Sequence, residues 1–560
     1  MHIAGPSAAR GGNDIAMDEA RSSRIGLPLA GPLLLLFALA FLLPGILGRA
    51  PWRLDDALGI GVAFDMYSGG SWLVPRLAGE PYLGDGPLYY WVAALFGHLL
   101  GWAMPFAAAA RLAAALFVLA ALWFVRLAAR ELYGEDAGDL SVLALLGSLG
   151  LFLHAHEATP ETAMLAGSAA AYYGLAIAWK KPWKAAAFFA GGVGVAFLAR
   201  GLPAMIPPVT AAVLLLPLAI VNRARSYAFA VGAGVLLLVP IVAAWPVLLG
   251  LSAPTILQAW VAGQFEAVTQ QVTAADVLDT VKILLWAAWP AWPLALWATW
   301  AFRRHLRDPG FAVPAVATLV SASLLLVGPT QRDIDTLAVL VPLAIPAGTA
   351  ALGLRRGAAN SLSYFSVATF GLAGAVLWFL WFAMMTGVPG AAARNVLKLA
   401  PGFSPAFEWW HVLVAIGYSI AWLALATRTA RVPARSLTAW AAGVTLAWGL
   451  AGTLFLSWAD HIQSYAPLAA AIKKAVPADP SCIASQNLSE VHRAVLHYHA
   501  GLVTVRRETG AGGNCAVLLV RSRDDAKSVA PGAGWKRIAE IARPRDRDRF
   551  FIYRRDPKAV

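Results

Sequence analysis

Thirteen apolar runs of roughly 15 to 25 residues, separated by clusters of Lys and Arg, leave this chain very few architectures. A backbone in hydrocarbon must satisfy its own hydrogen bonds, and a helix does so within one segment. The runs fall at 25–47, 108–127, 140–153, 161–179, 185–199, 202–221, 227–249, 281–302, 311–327, 337–354, 362–385, 409–426 and 437–458. Composition agrees: mean hydropathy is +0.64 and only 13% of residues are charged, against about 25% in soluble domains. The expected fold is therefore an α-helical polytopic membrane protein of about thirteen transmembrane helices. The first run is too long for the apolar core of a cleavable signal peptide and has no small-residue cleavage site, so it reads as a retained span.

The net charge of +13 is read as topology rather than nucleic-acid affinity, because cytoplasmic loops collect Lys and Arg. The clusters are Arg21 with Arg24, Arg126 with Arg130, Lys180 with Lys181 and Lys184, Arg223 with Arg225, Arg303 with Arg304 and Arg307, Arg355 with Arg356, and Arg428 with Arg431 and Arg435. Placing all of them inside makes 1–24 a cytoplasmic tail, 25–458 the membrane domain and 459–560 an external domain. In that tail the short β-rich runs CAVLLV and FFIY alternate with polar segments, which suggests a small soluble α/β domain. Cys482 and Cys515, the only cysteines, both fall there. An oxidising exterior permits a disulfide between them, and two buried thiols is the other reading.

Three external loops stand out as places for function: 53–104, within the connection 49–107, then 154–161 and 329–335. The first contains GPLYYWVAALFGHLLG, too short to span comfortably, and is expected to be a helix at the interface anchored by Tyr89, Tyr90 and Trp91. It begins with Asp55 and Asp56 at the mouth of a span. Such a doublet is either a solvated loop start or a site, and ionisable groups flush with the bilayer favour the site. His154 and His156 resemble metal ligands only loosely, and His492, His497 and His499 near Glu490 form no tight ligand motif. No phosphate-binding glycine loop is present, which disfavours a nucleotide-sugar donor. A transporter or flippase would show internal repeats and polar residues at mid-membrane; here the polar residues gather at external helix ends.

In order along the chain come the doublet at 55–56, WLVPRLAGEPYL, PLYYW, HEATPETAMLAG, RDIDTLAVLVPLAIPAG, LSEVHRAVLHYHAGL and RPRDRDRFFIYRR. This series resembles the lipid A aminoarabinose transferases and their protein O-mannosyltransferase relatives, membrane glycosyltransferases of the GT-C fold, over nearly the whole chain. The resemblance implies that Asp55 serves at the catalytic centre with Asp56 beside it. Glu161, with Glu157 as neighbour, matches a second acidic position where the family commonly has Asp; helix capping is its other reading. Where the aminoarabinose transferases carry a lysine suited to the donor phosphate, this chain has Asp85, close to Tyr89 and Tyr90 of the substrate loop. A carboxylate there would repel the phosphate, so another cation must act: Arg332 first, with Arg76 and Arg200 as alternatives. A tyrosine usual after that arginine is absent from the run Ile334, Asp335, Thr336.

The implied activity is an inverting transfer of a sugar, with 4-amino-4-deoxy-L-arabinose a candidate, from a polyprenyl-phosphate donor. The implied acceptor is lipid A or another envelope glycan, with protein the runner-up, on the periplasmic side of a bacterial inner membrane. No cofactor is implied with certainty; a divalent metal stays open. The other partners implied are membrane lipids, and nucleic acid is not among them.

Overall fold

The computed structural model describes residues 31–52, 54–221, 225–269, 272–328, 332–428, 433–477, 482–510, 514–523, 531–532, 534–543 and 546–555. The expected tail 1–24 and the basic residues Arg223 and Arg431 lie outside them. Among the described residues nine helices are long and apolar enough to cross a bilayer; Ala274–Ala287 and Ala291–Ala301, bent by 89° at their break, make ten if they count as one span.

Three of the expected runs are not among these helices: 25–47, whose residues 25–30 lie outside the described ones, 140–153 and 161–179. Within 25–47 the described helix is Pro32–Leu42, only 11 residues. The run 140–153 breaks into Glu135–Leu146 and Leu149–His154. There the Gly147 carbonyl accepts the Trp440 indole N–H and the Ser148 hydroxyl turns back to Ala144 O. The run 161–179 becomes Pro160–Ile177, buried at every position but Tyr173.

The elements that build the site are α1 (Leu54–Tyr67), the hairpin β1 (Arg76–Leu77) and β2 (Glu80–Pro81), α2 (Leu88–Leu100), α3 (Phe106–Tyr133), α4 (Pro160–Ile177), α5 (Pro182–Arg200), α6 (Ala274–Ala287) and α7 (Leu337–Leu352). The reading of Tyr89 and Tyr90 as an interfacial anchor of α2 needs correction. Tyr89, Tyr90, Ala93, Ala94 and Gly97 make one helical face and are buried, while Leu95 and Leu99 are exposed on the other. The Tyr89 hydroxyl donates to Ala110 O of α3 and the Tyr90 hydroxyl to Asp85, both at 2.9 Å, so these rings anchor the helix to protein and not to lipid headgroups.

The C-terminal region folds as a five-stranded sheet, β3 (Ile483–Gln486), β4 (Thr504–Arg506), β5 (Val517–Ser522), β6 (Trp535–Ala542) and β7 (Arg549–Arg555), in the order β4-β3-β5-β7-β6, with α8 (Glu490–Ala500) between β3 and β4. β3 pairs in parallel with β4 and β5; the β5–β7 and β7–β6 ladders are antiparallel. Alternate residues serve two cores: Val517 and Leu519 join Phe550 and Ile552, whereas Leu518 and Val520 join Phe551 and Tyr553. That is why both predicted β-runs read as nearly continuous apolar stretches. Cys482 and Cys515 are joined in a disulfide beside β3 and β5.

This sheet region is welded to the loop that holds the acidic doublet. A Cβ at Gly61 of α1 would lie 2.5 Å from the Ala494 Cβ of α8, so only glycine admits the helix at this distance. Glu80 of β2 takes Arg493 at 3.0 Å and Arg506 at 2.7 Å.

Candidate active site

Helical periodicity separates the two adjacent carboxylates by about 100° around α1, so they do different things. Asp56 points inward and is 1% exposed. Its Oδ1 accepts from Arg111 Nε at 3.0 Å and Ala158 N at 2.9 Å; its Oδ2 accepts from Arg111 Nη2 at 2.8 Å, Trp52 N at 3.0 Å and Arg49 Nη1 at 3.3 Å. Burial alone would push this carboxyl up, but Arg111 and Arg49 hold it down at about 2. The close approach of α1 to the 155–159 turn needs Gly59, whose Cβ would lie 1.8 Å from Ala158 O. Both oxygens of Asp56 are thus taken up by five protein donors, which tie α1 to Arg49, Arg111 and the 155–159 turn.

Asp55 faces the other way and keeps a quarter of its side chain exposed. Its Oδ1 accepts from Arg332 Nη1 at 3.0 Å. Burial pushes its carboxyl up to about 6; Arg332 opposes that rise, and Glu161 and Glu157 add to it. A carboxylate so placed is a proton acceptor with a pKa near the working range, which is what general-base catalysis asks for.

Arg332 also donates to Glu161 Oε1 at 2.8 Å and to Asp335 at 3.0 Å, so it bridges three carboxylates. Glu161 is 1% exposed and takes a second guanidinium, Arg200, at 3.2 Å, which places it inside the ion network as well as in the first turn of α4. Arg200 ends α5 and pairs at 2.5 Å with Asp85, whose other oxygen accepts the hydroxyls of Tyr90 and Tyr82. The Asp85 carboxylate is 3% exposed and held by these partners, so it does not stand open to solvent. Arg76, one of the expected phosphate cations, has no hydrogen bond or ion pair to this network among the described residues; its guanidinium donates to Gly79 O.

The histidines are dispersed. His154 bonds Glu157 at 2.7 Å, His156 is buried against Trp448 with a 4.2 Å ring separation, and His492 is held by Ser489. Among the described residues no group of three His, Cys, Asp or Glu is placed to hold a metal. The carboxylates around Asp55 pair instead with the guanidiniums of Arg332 and Arg200.

Asp55 and Arg332 sit at one end of a cavity of about 750 Å³. Its wall is largely apolar, with Leu58, Leu153, Ile283 and Trp286, and it also includes Lys282 of α6 and Val491 of α8. With Asp333 also on the wall, the cavity joins a charged region to a hydrocarbon-lined one, an arrangement that suits an amphiphile. Sequence reasoning missed Lys282, which falls on an ordinary amphipathic stretch. It also missed Arg111, although an arginine inside the apolar run FAAAARLAAA signals a buried partner.

Residues 84–245 match the family model described as dolichyl-phosphate-mannose-protein mannosyltransferase. Among solved structures, ArnT from Cupriavidus metallidurans bound to undecaprenyl phosphate superposes with a TM-score of 0.70 at 16% identity, covering 93% of this chain and 98% of that one. The same protein in its apo state gives 0.68 at the same identity and coverage. No curated protein matches by sequence. The chain has the GT-C fold of membrane glycosyltransferases, with a small C-terminal sheet region.

Proposed function

We propose that this chain transfers a sugar from a polyprenyl-phosphate carrier to an acceptor oxygen in the bacterial cell envelope, with Asp55 as general base. The observation that carries the reading is the partly exposed Asp55–Arg332 pair on the wall of a largely apolar cavity. It is supported by the likeness in fold to a protein solved with undecaprenyl phosphate. In the proposed step the acceptor O–H gives its proton to Asp55 while its oxygen attacks the anomeric carbon. The bond from that carbon to the phosphate oxygen breaks on the opposite face, the polyprenyl phosphate leaves with the electron pair, and the anomeric configuration inverts. The phosphate is already a good leaving group, so the protein's task is alignment, one proton acceptor and fixed positive charge. We place the site on the periplasmic side of the inner membrane, with the tail 1–24 in the cytoplasm and the region 459–560 outside.

Lipid A or another envelope glycan is the proposed acceptor, and 4-amino-4-deoxy-L-arabinose the leading sugar. Deletion of the gene is expected to remove one glycosyl mass from lipid A or from another envelope glycan, read by mass spectrometry of the extracted envelope. Loss of a sugar from proteins alone would move the acceptor to the protein class that the matched family model describes. An envelope and proteome unchanged in glycosylation would sink the transfer reading.

The pH profile supplies a second check. The base must be unprotonated, and Asp55 in the free protein is held at about 6. The quantity kcat/KM is therefore expected to fall about tenfold per unit below pH 6 and to level off above it. Arg332 pulls that value down, so Arg332→Gln should shift the acid limb to higher pH as well as lower the rate. An acid limb that stays in place in that variant would show that some other group is titrating.

A further inference from the structure

The charges around Asp55 do not leave room for an anion. Asp55, Asp85, Glu161 and Asp335 share Arg200 and Arg332 through ion pairs of 2.5 to 3.5 Å. Four carboxylates against two guanidiniums leave two negative charges when all are ionised. A lipid-linked sugar phosphodiester carries one more, so the pairs that organise the catalytic end repel the donor they are expected to hold. Arg332 spends its guanidinium on three carboxylates, and Arg200 also pairs with three. Arg49 and Arg111 are sealed around Asp56.

One cation on the cavity wall stands outside this network. Lys282 lies on α6, and its recorded ion pair is with Asp279, one turn earlier on the same helix at 2.8 Å. Both partners are more than half exposed, so the pair is weak and easily exchanged. Ile283 and Trp286, next along and one turn further on α6, line the same cavity. The helix thus presents an ammonium beside an apolar strip, the order of charge and hydrocarbon in a prenyl phosphate. The helix itself is held at its start by a reciprocal cap between Thr273 and Asp276.

We infer that Lys282 is the side chain that receives the donor's phosphodiester, taking over the charge that Asp85 removed from the substrate loop; this rests on the transfer reading above. The ammonium leaves Asp279 and closes on the phosphate, and the prenyl chain follows Ile283 and Trp286. Arg332 then acts mainly on Asp55 and on the charge that develops in the transition state, and less on ground-state binding.

The test uses the full-length protein in nanodiscs and compares the binding of undecaprenyl phosphate with that of undecaprenol, which lacks the phosphate. Wild type is expected to prefer the phosphate. Lys282→Gln should weaken phosphate binding by about tenfold or more and leave the alcohol unchanged, and Lys282→Arg should restore binding to within a few-fold. In turnover, Lys282→Gln should raise the donor KM with kcat nearly intact, a split that general unfolding does not produce. If wild type prefers the phosphate and Lys282→Gln binds it equally well, the assignment of Lys282 is overturned while the transfer reading stands. If wild type does not distinguish phosphate from alcohol, the polyprenyl-phosphate reading falls, and Lys282 with it.

Discussion

Asp55→Asn is expected to lower kcat for glycosyl transfer by at least about 100-fold, the usual worth of a positioned general base, while donor binding holds or tightens. The substitution keeps the shape of the side chain and removes the proton acceptor. It also removes one negative charge from a network in which carboxylates outnumber guanidiniums, so a phosphate should meet less repulsion. Stability should not suffer. The folded state raises this carboxyl to about 6 from an ordinary value near 3.8, so at neutral pH the ionised form is disfavoured by folding, and the amide relieves that cost. Steady-state kinetics with a separate donor-binding measurement would check this. Activity within about tenfold of wild type would return Asp55 to the status of a solvated carboxylate.

The neighbouring substitution should fail for the opposite reason. Asp56→Asn leaves Arg111, which is fully buried, and Arg49 beside it without their counter-charge, and turns an amide N–H₂ toward donors. Breaking one partner of a buried ion group costs about 3–5 kcal/mol, so the expected result is a large loss of folded protein by thermal unfolding in detergent, with catalysis lost as a consequence. The pH dependence has a matching sign. Asp56 is lowered from 3.8 to about 2, so its contribution is fully present above about pH 4 and is lost as pH falls through about 2. Wild-type stability between pH 5 and 7 should therefore not depend on this group. An Asp56→Asn protein as stable as wild type but inactive would give Asp56 a role in the chemistry that its five hydrogen bonds argue against.

Much of this molecule was legible in its sequence because much of its free energy is local in origin. Apolar runs and basic clusters marked the spans at nine places and at the bent pair α6 and Ala291–Ala301. They also marked 140–153, which breaks at Gly147 and Ser148, and 161–179, which forms the buried helix Pro160–Ile177. The doublet at 55–56 was visible as an anomaly of charge next to a span, but its division of labour was not: which carboxylate turns inward depends on Arg111, 55 residues away, and on the close approach at Gly59. Asp85 looked like an open charge facing the donor, and is instead a buried carboxylate paired with Arg200 once the loop before α2 meets the end of α5.

By itself the sequence determined the membrane class of the fold, two of the five strands of the C-terminal sheet and the acidic positions worth attention, since each follows from a local pattern. Tertiary structure alone decided which charges pair. Asp55 lies 277 residues from Arg332, and Glu80 lies 413 from Arg493. Such pairs leave no periodic trace, because an ion pair depends on distance in space, and in a low-dielectric interior a few ångströms separate a stabilised charge from an intolerable one. The Lys282 ammonium shows the same limit from the other side: on the sequence it is one cation on an amphipathic helix, and only the tertiary structure sets it on the wall of the cavity that Asp55 and Arg332 also line.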